Sequence, residues 1–304
     1  MKIKELYQRF RSWQQNPFHY ERSNEKHVCA NCGQEFEGNF CPTCGQSYNV
    51  GSVNWSSVGK EFIKAWGIET KSLVSSVVQI FGRPGYLIGD YLNGRRQVCY
   101  SPISMLFILA MIGMLILRLT GLDGTEKIMS ADIENEVAKQ VLMWILSHFG
   151  WCILLETVFL ILPTWLLFRH SPKHTHHTIP EGIYIQLMMG SIVIVFTMAS
   201  KAVYWLTWGV PIYYFIAYRQ LFGYGFWGTL WRTAIAIFEG LSFIILLAFV
   251  VASIFMKEVV EDRETLIALI IFYSVIFALN LGILYIGNRI SKKSAARRLL
   301  KEKA

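Results

Sequence analysis

Long apolar runs divided by short charged segments begin at Pro102 and continue almost to the end of the chain; the first hundred residues contain none. The runs at 102–119, 141–168, 183–200, 203–218, 233–256 and 266–287 predict six membrane helices, most near the length a bilayer core demands. The first of them opens on Pro102, whose missing N–H costs nothing in a first helical turn. A single helix over 183–218 would be about 54 Å long at 1.5 Å per residue, so a break is needed. The break is placed at Ser200-Lys201-Ala202, the weakest of the loops; placed instead at Gly209-Val210-Pro211 it would make part of this region re-entrant.

The segments before Pro102 have other periods. In 1–15, Ile3, Leu6, Phe10 and Trp13 recur at spacings of three and four with Lys2, Lys4, Arg9 and Arg11 between them. That is a short basic amphipathic helix suited to an anionic leaflet, or else a frayed tail or a helix packed on the neighbouring cysteine-bearing segment. Val58, Phe62, Ile63 and Trp66 make one helical stripe, and Leu73, Val74, Val77, Ile80 and Phe81 a second, with Gly67 as the break. Two helices along the cytosolic interface are expected. The stretch 82–101 is rich in glycine, proline, arginine and tyrosine, which is punctuation plus positive charge at a membrane rim.

Composition agrees with this class. The 304 residues are 53% hydrophobic and only 16% charged, against roughly 25% in a soluble domain. The mean hydropathy is +0.37. Residues 1–15 hold no apolar signal core, so the first membrane helix is expected to act as its own insertion signal. Charge then sets the topology. With the N-terminus inside and six helices, 23 of the 29 Lys and Arg fall in cytosolic segments, 12 of them before Pro102. The outer loops keep six basic residues against nine acidic ones, as the positive-inside rule requires. Five helices would export the basic tail 289–304, and four is the other count the pattern admits.

The sharpest chemistry is Cys29-Ala30-Asn31-Cys32-Gly33, then Cys41-Pro42-Thr43-Cys44-Gly45. Two CxxCG knuckles at this spacing predict four thiolates around one Zn²⁺, a structural site with no position left for substrate. A ribbon over 27–48 is too small to fold on its own core, so the metal would supply its folding free energy. Paired disulfides and a redox dithiol compete. A cytosolic location disfavours the first, and a duplicate at ribbon spacing is superfluous for the second. Cys99 and Cys152 read as small buried hydrophobes.

With these residues in view, the chain resembles a bacterial membrane-protein family known as domain of unknown function 3667. That family joins a paired CxxCG ribbon ending in YCPxCGQ to a junction with PG, YL and GKR before the first membrane helix. Here the ribbon ends Phe40-Cys41-Pro42-Thr43-Cys44-Gly45-Gln46. The junction reads Thr70, Leu73, Pro84-Gly85, Ile88, Tyr91-Leu92, Gly94-Arg95-Arg96, Tyr100 and Pro102. Arg95, Phe40 and Val74 depart from the family's lysine, tyrosine and leucine. The likeness covers roughly the first 120 residues. It implies a zinc ribbon on a multi-pass protein of the bacterial inner membrane and carries no activity.

Ionisable groups inside lipid are functional candidates by default. Glu156, about 18 Å deep in the second helix, and His148, two turns nearer the outside, could relay a proton or cation; Glu156 as a protonated or paired helix-packing carboxyl is favoured. Glu239, expected to snorkel, and Asn280 read as helix-packing groups. The histidines of 170–177 read as a solvated loop rather than a metal site, which an enzyme would require. No phosphate-binding loop, hydrolase elbow or dinucleotide fingerprint occurs. Topology already accounts for the positive charge, which leaves nucleic acid a poor partner. The expectation is an all-α polytopic membrane protein with an N-terminal zinc ribbon. It comprises an amphipathic segment 1–26, the ribbon 27–48, interfacial helices and junction 49–101, a helix bundle 102–288 and a basic cytosolic tail 289–304. The ribbon would dock a cytosolic protein partner without catalysis of its own; the alternative is an ion-coupled permease using Glu156.

Overall fold

The computed structural model describes residues 3–17, 23–48, 70–95, 99–121, 139, 143, 149–174, 177–255 and 263–303. The first helical stripe expected near Trp66 lies outside them. The chain divides into two compact units, Met1–Leu73 and Val74–Ala304.

The first unit opens with helix α1, Ile3–Gln15, in which no residue is buried. Its apolar stripe stays exposed at Ile3, Leu6 and Phe10, and Phe10 stacks on Trp13 at 5.9 Å. Strands β1, Lys26–Val28, and β2, Glu35–Glu37, then pair antiparallel with His27 opposite Phe36. The small core is Cys29, Phe36 and Cys41. Little apolar area lies under so short a hairpin, so its rigidity has to come from the cysteines.

The second unit is helical. Its elements are α2 Thr70–Gly82, α3 Pro84–Leu92, α4 Pro102–Leu119, α5 Phe149–Phe168 and α6 Ile179–Ala202. After a 3₁₀ turn, Tyr204–Trp208, come α7 Gly209–Phe222, α8 Phe226–Phe255 and α9 Arg263–Lys303. Among the described residues four helical stretches are long and apolar enough to cross a membrane: Pro102–Leu119, Ile179–Ala202, Phe226–Leu247 and Ile267–Leu300. The described apolar part of α5, Ile153–Phe168, is shorter than that. Helix α7 has 14 residues.

Helix α5 is central and packs against α6, α8 and α9, while α4 lies on α6. Leu106, Ala110, Ile153 and Ile194 form a core between α4, α5 and α6. One end of the bundle is tied by Arg232, which donates to Leu167 O at 3.2 Å, Ser291 Oγ at 3.1 Å and Gly228 O at 2.7 Å. Its guanidinium lies over the Tyr224 ring at 3.9 Å and the Trp231 ring at 4.3 Å.

Three features differ in detail from the sequence reading. Helices α2 and α3 pack on the bundle. They form a hairpin against the bundle: Phe81 meets Phe196 of α6 at 5.7 Å, and Tyr91 meets Tyr184 at 5.5 Å. Those two partners stand twelve residues apart on α6, so the hairpin runs about 18 Å along it. The tight approach needs a glycine. A Cβ on Gly85 would run into the Ala217 carbonyl and the backbone of Leu221, and the Gly85 N–H donates to Gln220 Oε1 at 3.1 Å. Second, the break after α6 falls at Val203, which is extended at φ −131° and ψ 95°. Gly209-Val210-Pro211 opens α7 rather than interrupting it. Third, the basic tail is no separate segment, since α9 continues without interruption from Arg263 to Lys303.

Candidate metal centre

The two knuckles are built alike. The Cys29 N–H donates to Gln34 O at 2.9 Å and the Gly33 N–H to Cys29 O at 2.9 Å. In the second, the Cys41 N–H donates to Gln46 O at 2.8 Å and the Gly45 N–H to Cys41 O at 2.9 Å. Each turn closes on a glycine in the left-handed region, Gly33 at φ +74° and Gly45 at φ +75°. A Cβ at either would meet nothing within 4 Å, so the requirement is backbone conformation and not space.

This backbone gathers all four sulfurs within 4.8 Å of one another. Cys29 Sγ lies 3.5 Å from Cys44 Sγ, and Cys32 Sγ lies 3.6 Å from Cys41 Sγ. Thiolates at 2.3 Å around a tetrahedral ion would stand about 3.8 Å apart. The donor set therefore fits one cation in its present arrangement. The cross-knuckle pairs show that the site belongs to both turns at once, as a ribbon's does.

Electrostatics prepare the sulfurs unequally. The Gln46 N–H, the Asn31 side chain and Cys29 pull the Cys44 thiol down to about 6. Cys32 receives the Gln34 N–H, yet desolvation and the three neighbouring sulfurs push it up to about 12. Four sulfurs this close cannot all be anionic without a cation among them. Cys29 and Cys41 are buried, whereas Cys32 and Cys44 face outward, which gives a metal an entry side.

The other candidates fare differently. His148 lies outside the described residues, so its juxtaposition with Glu156 has no geometry to report. Glu156 sits half-buried on α5. The carboxyl that the bundle buries completely is Glu239, and it does not snorkel: it is 0% exposed, and neither oxygen has a hydrogen-bond partner among the described residues. The Asn280 Nδ2 on α9 is likewise buried without a partner among them. Gln186 lies at the heart of the bundle, donating to Thr164 Oγ1 and to the Tyr218 hydroxyl, both at 2.8 Å.

Cys99 is buried as expected, and burial, with Asp90 nearby, pushes its thiol up to about 12. Cys152 falls on α5, and its side chain lies outside the described set. The histidine loop forms no metal cluster among the described residues. It serves α7 instead: Lys173 donates through its backbone to Phe222 O at 3.2 Å and through Nζ to Gln220 O at 3.1 Å, a cation on a helix C-terminus. His177 is buried against Phe222, and burial pulls its imidazole down to about 4.

Sequence reasoning reads Arg83 only as a basic residue at the rim and misses its pairing. It is fully buried at the tip of the α2–α3 hairpin and ion-paired to Asp90, with Arg95 3.5 Å from the other Asp90 oxygen. The spacing of seven between Arg83 and Asp90, two turns of one helix, was the available signal. No protein-family model matches this chain, and no curated protein or solved structure matches it either.

Proposed function

We propose that the chain is a multi-pass protein of the bacterial inner membrane whose N-terminal zinc ribbon is a cytosolic docking module, with no catalysis of its own. The observation that carries this is the closed set of four sulfurs. A tetrahedral ion held by Cys29, Cys32, Cys41 and Cys44 has no open position for a substrate. A tetrahedral set of four thiolates suits zinc or iron, and closed structural sites of this kind are the usual zinc arrangement. The exposed edge of the hairpin, with Val28 and Phe40 uncovered, offers a surface to a protein partner. The resemblance to domain of unknown function 3667 points the same way.

Six crossings with both ends cytosolic fit the charge distribution and gain support from α6 and α7. Helix α6 is 24 residues long, about 36 Å. Yet Phe222, at the far end of α7, stands 5.4 Å from His177 before the start of α6. The five-residue 3₁₀ turn and the 14 residues of α7 have to make the return, and together they can reach about 31 Å. A short α7 is then still a crossing.

The test is the metal content of the purified full chain. About one zinc per chain is expected, lost in Cys41→Ser together with the hairpin and any bound partner. Less than half an equivalent in the unsubstituted protein, or a Cys41→Ser variant indistinguishable from it, overturns the ribbon. A second reading, an ion-coupled permease, is favoured by the buried carboxyl of Glu239, which has no hydrogen-bond partner among the described residues, and by the half-buried Glu156. Proteoliposomes bearing Glu239→Gln or Glu156→Gln should then lose pH-gradient-driven uptake. Equality of both with the unsubstituted protein removes that reading.

A further inference from the structure

Helices α5, α8 and α9 pack against one another, and their side chains meet in layers. Phe243 of α8 stacks on Phe159 of α5 at 6.4 Å and meets Phe277 of α9 edge-on at 6.0 Å. Further along the same wedge, Arg232 of α8 donates to Leu167 O of α5 and to Ser291 Oγ of α9. Both neighbours therefore run antiparallel to α8. One helical turn from the aromatic layer toward Arg232, the three helices place Pro163, Glu239 and Asn280 at a common level.

That level holds three polar groups in want of partners. Glu239 is 0% exposed and Asn280 4%. Neither carboxyl oxygen of Glu239, nor Asn280 Nδ2, has a hydrogen-bond partner among the described residues. Pro163 stands inside α5 and has no N–H, so the Phe159 carbonyl lacks its helical donor. Gly240, next to Glu239, lets the helices close up: a Cβ there would lie 2.6 Å from Leu160 Cδ2. The charged and titratable groups of the packed elements are engaged or stand apart. Arg232, two turns away on α8, is held by Leu167 O, Ser291 Oγ and Gly228 O. Glu156 is half-buried on α5, two turns from Pro163, and Tyr273 and Tyr285 flank Asn280 by two turns or less on α9. Helix α7 meets the first turn of α8, with Arg219 over the Phe226 ring at 6.0 Å. No ion pair to Glu239 forms among the described residues.

We propose that Glu239 is a proton-binding site of the bundle, with the Phe159 carbonyl and Asn280 as its two partners. A carboxylic acid has one O–H to donate and a carbonyl oxygen that accepts, and this level supplies one acceptor and one donor. Protonation satisfies all three groups together: the acid O–H donates to Phe159 O, and Asn280 Nδ2 donates to the other Glu239 oxygen. A carboxylate would face the Phe159 carbonyl with no hydrogen between them, where a lone charge is costly. A sodium ion would be served by the oxygens but opposed by the Asn280 N–H. The site deepens the permease reading above by naming the ion, and its own test needs no transport.

The probe is dicyclohexylcarbodiimide, added to the full chain in a neutral detergent, with peptide mass mapping as the readout. The acid adds whole across one C=N bond of the reagent: its oxygen bonds to carbon, its proton goes to nitrogen, and an acyl shift leaves a stable N-acylurea with no leaving group. One reagent per chain is expected, on Glu239, and none from a water-soluble carbodiimide. Labelling should fall about tenfold per pH unit once alkali removes the proton. In the infrared difference against Glu239→Gln, Asn280→Leu should move the acid carbonyl band to higher wavenumber, which a merely structural role would not do. The labelling needs no variant, so it decides even where Asn280→Leu fails to fold. Labelling of Glu156 in place of Glu239, labelling by both reagents alike, or labelling constant up to the pH at which the chain unfolds overturns the proposal. So does protection by sodium and not by choline at fixed pH, which would make this a metal-ion site. Labelled Glu239 with uptake unchanged in Glu239→Gln and Glu156→Gln removes the permease and leaves the proton site standing.

Discussion

Replacing Asp90 with asparagine tests whether the α2–α3 hairpin is an integral part of the bundle. Arg83 is 0% exposed and Asp90 16% exposed in their ion pair. Asp90→Asn keeps the shape and removes the charge. The guanidinium keeps its hydrogen bond to Gln79 Oε1 at 3.4 Å but loses its carboxylate in a place water does not reach. Removing one partner of a buried pair costs about 3–5 kcal/mol, and the lower figure applies because Asp90 is partly exposed and Arg83 keeps other contacts. For a unit of this size about 3 kcal/mol lowers the melting temperature by about 6–12 °C. The assay is thermal unfolding of the detergent-solubilised chain followed by size exclusion. The loss should be nearly independent of salt, as for a pair shielded from counterions. The double substitution Arg83→Met/Asp90→Leu removes both charges and should recover most of the stability, since apolar replacement of a buried pair is close to neutral. A melting temperature for Asp90→Asn within about 2 °C of the unsubstituted chain, or a double variant worse than the single one, would refute a buried hairpin.

Other outcomes rest on the same geometry. Gly33→Ala forces a side chain into the left-handed region and should cost about 1 kcal/mol of ribbon stability, read as weaker zinc retention in a chelator titration; no change would mean that the knuckle tolerates another turn. If the four cysteines hold the proposed zinc, a chelator should abolish the β1–β2 pairing seen by amide exchange while leaving the bundle's melting intact, because an ion so held supplies the folding energy of so small a hairpin. Gly85→Val sets a branched side chain against the α7 backbone and should destabilise the bundle by about 3 kcal/mol, measured as a lower melting temperature. His177 is neutral in the folded state, its imidazole lowered by burial to about 4 from 6.5. Its contribution is complete above pH 6.5, and below that the unfolded chain takes up the proton first. Bundle stability should therefore fall by about 1.4 kcal/mol per pH unit from 6.5 toward 4. His177→Phe, which keeps the ring against Phe222, should flatten that slope.

Local chemistry is legible in the sequence where it alone decides the structure. Helix α4 begins at Pro102 and ends at Leu119 as its uninterrupted run requires. The knuckles follow from cysteine and glycine spacing, with Gly33 and Gly45 both left-handed. Hydrophobicity alone places the start of α6 four residues late, because the cap and not the apolar run sets it. The Thr178 hydroxyl accepts from the Glu181 N–H at 3.4 Å, and the Glu181 carboxylate accepts from the Thr178 N–H at 2.6 Å. This is a capping box visible as Thr-x-x-Glu.

The hairpin is not legible, and its physics explains why. Glycine, proline and arginine at 82–85 punctuate a surface turn and a buried helical tip in the same way. What separates the two is the fit of Gly85 against α7, some 135 residues along the chain. No local pattern encodes that. Burial of the hairpin also bears on the proposed orientation of the chain, because the six-helix, N-inside reading counts Arg83 among its 23 cytosolic cations, and Arg232, which is buried too. Taking both from the count leaves 23 − 2 = 21 basic residues on the inner side against six on the outer. The asymmetry on which the proposed orientation rests survives. It rests on the remaining cations, because basic loops resist translocation.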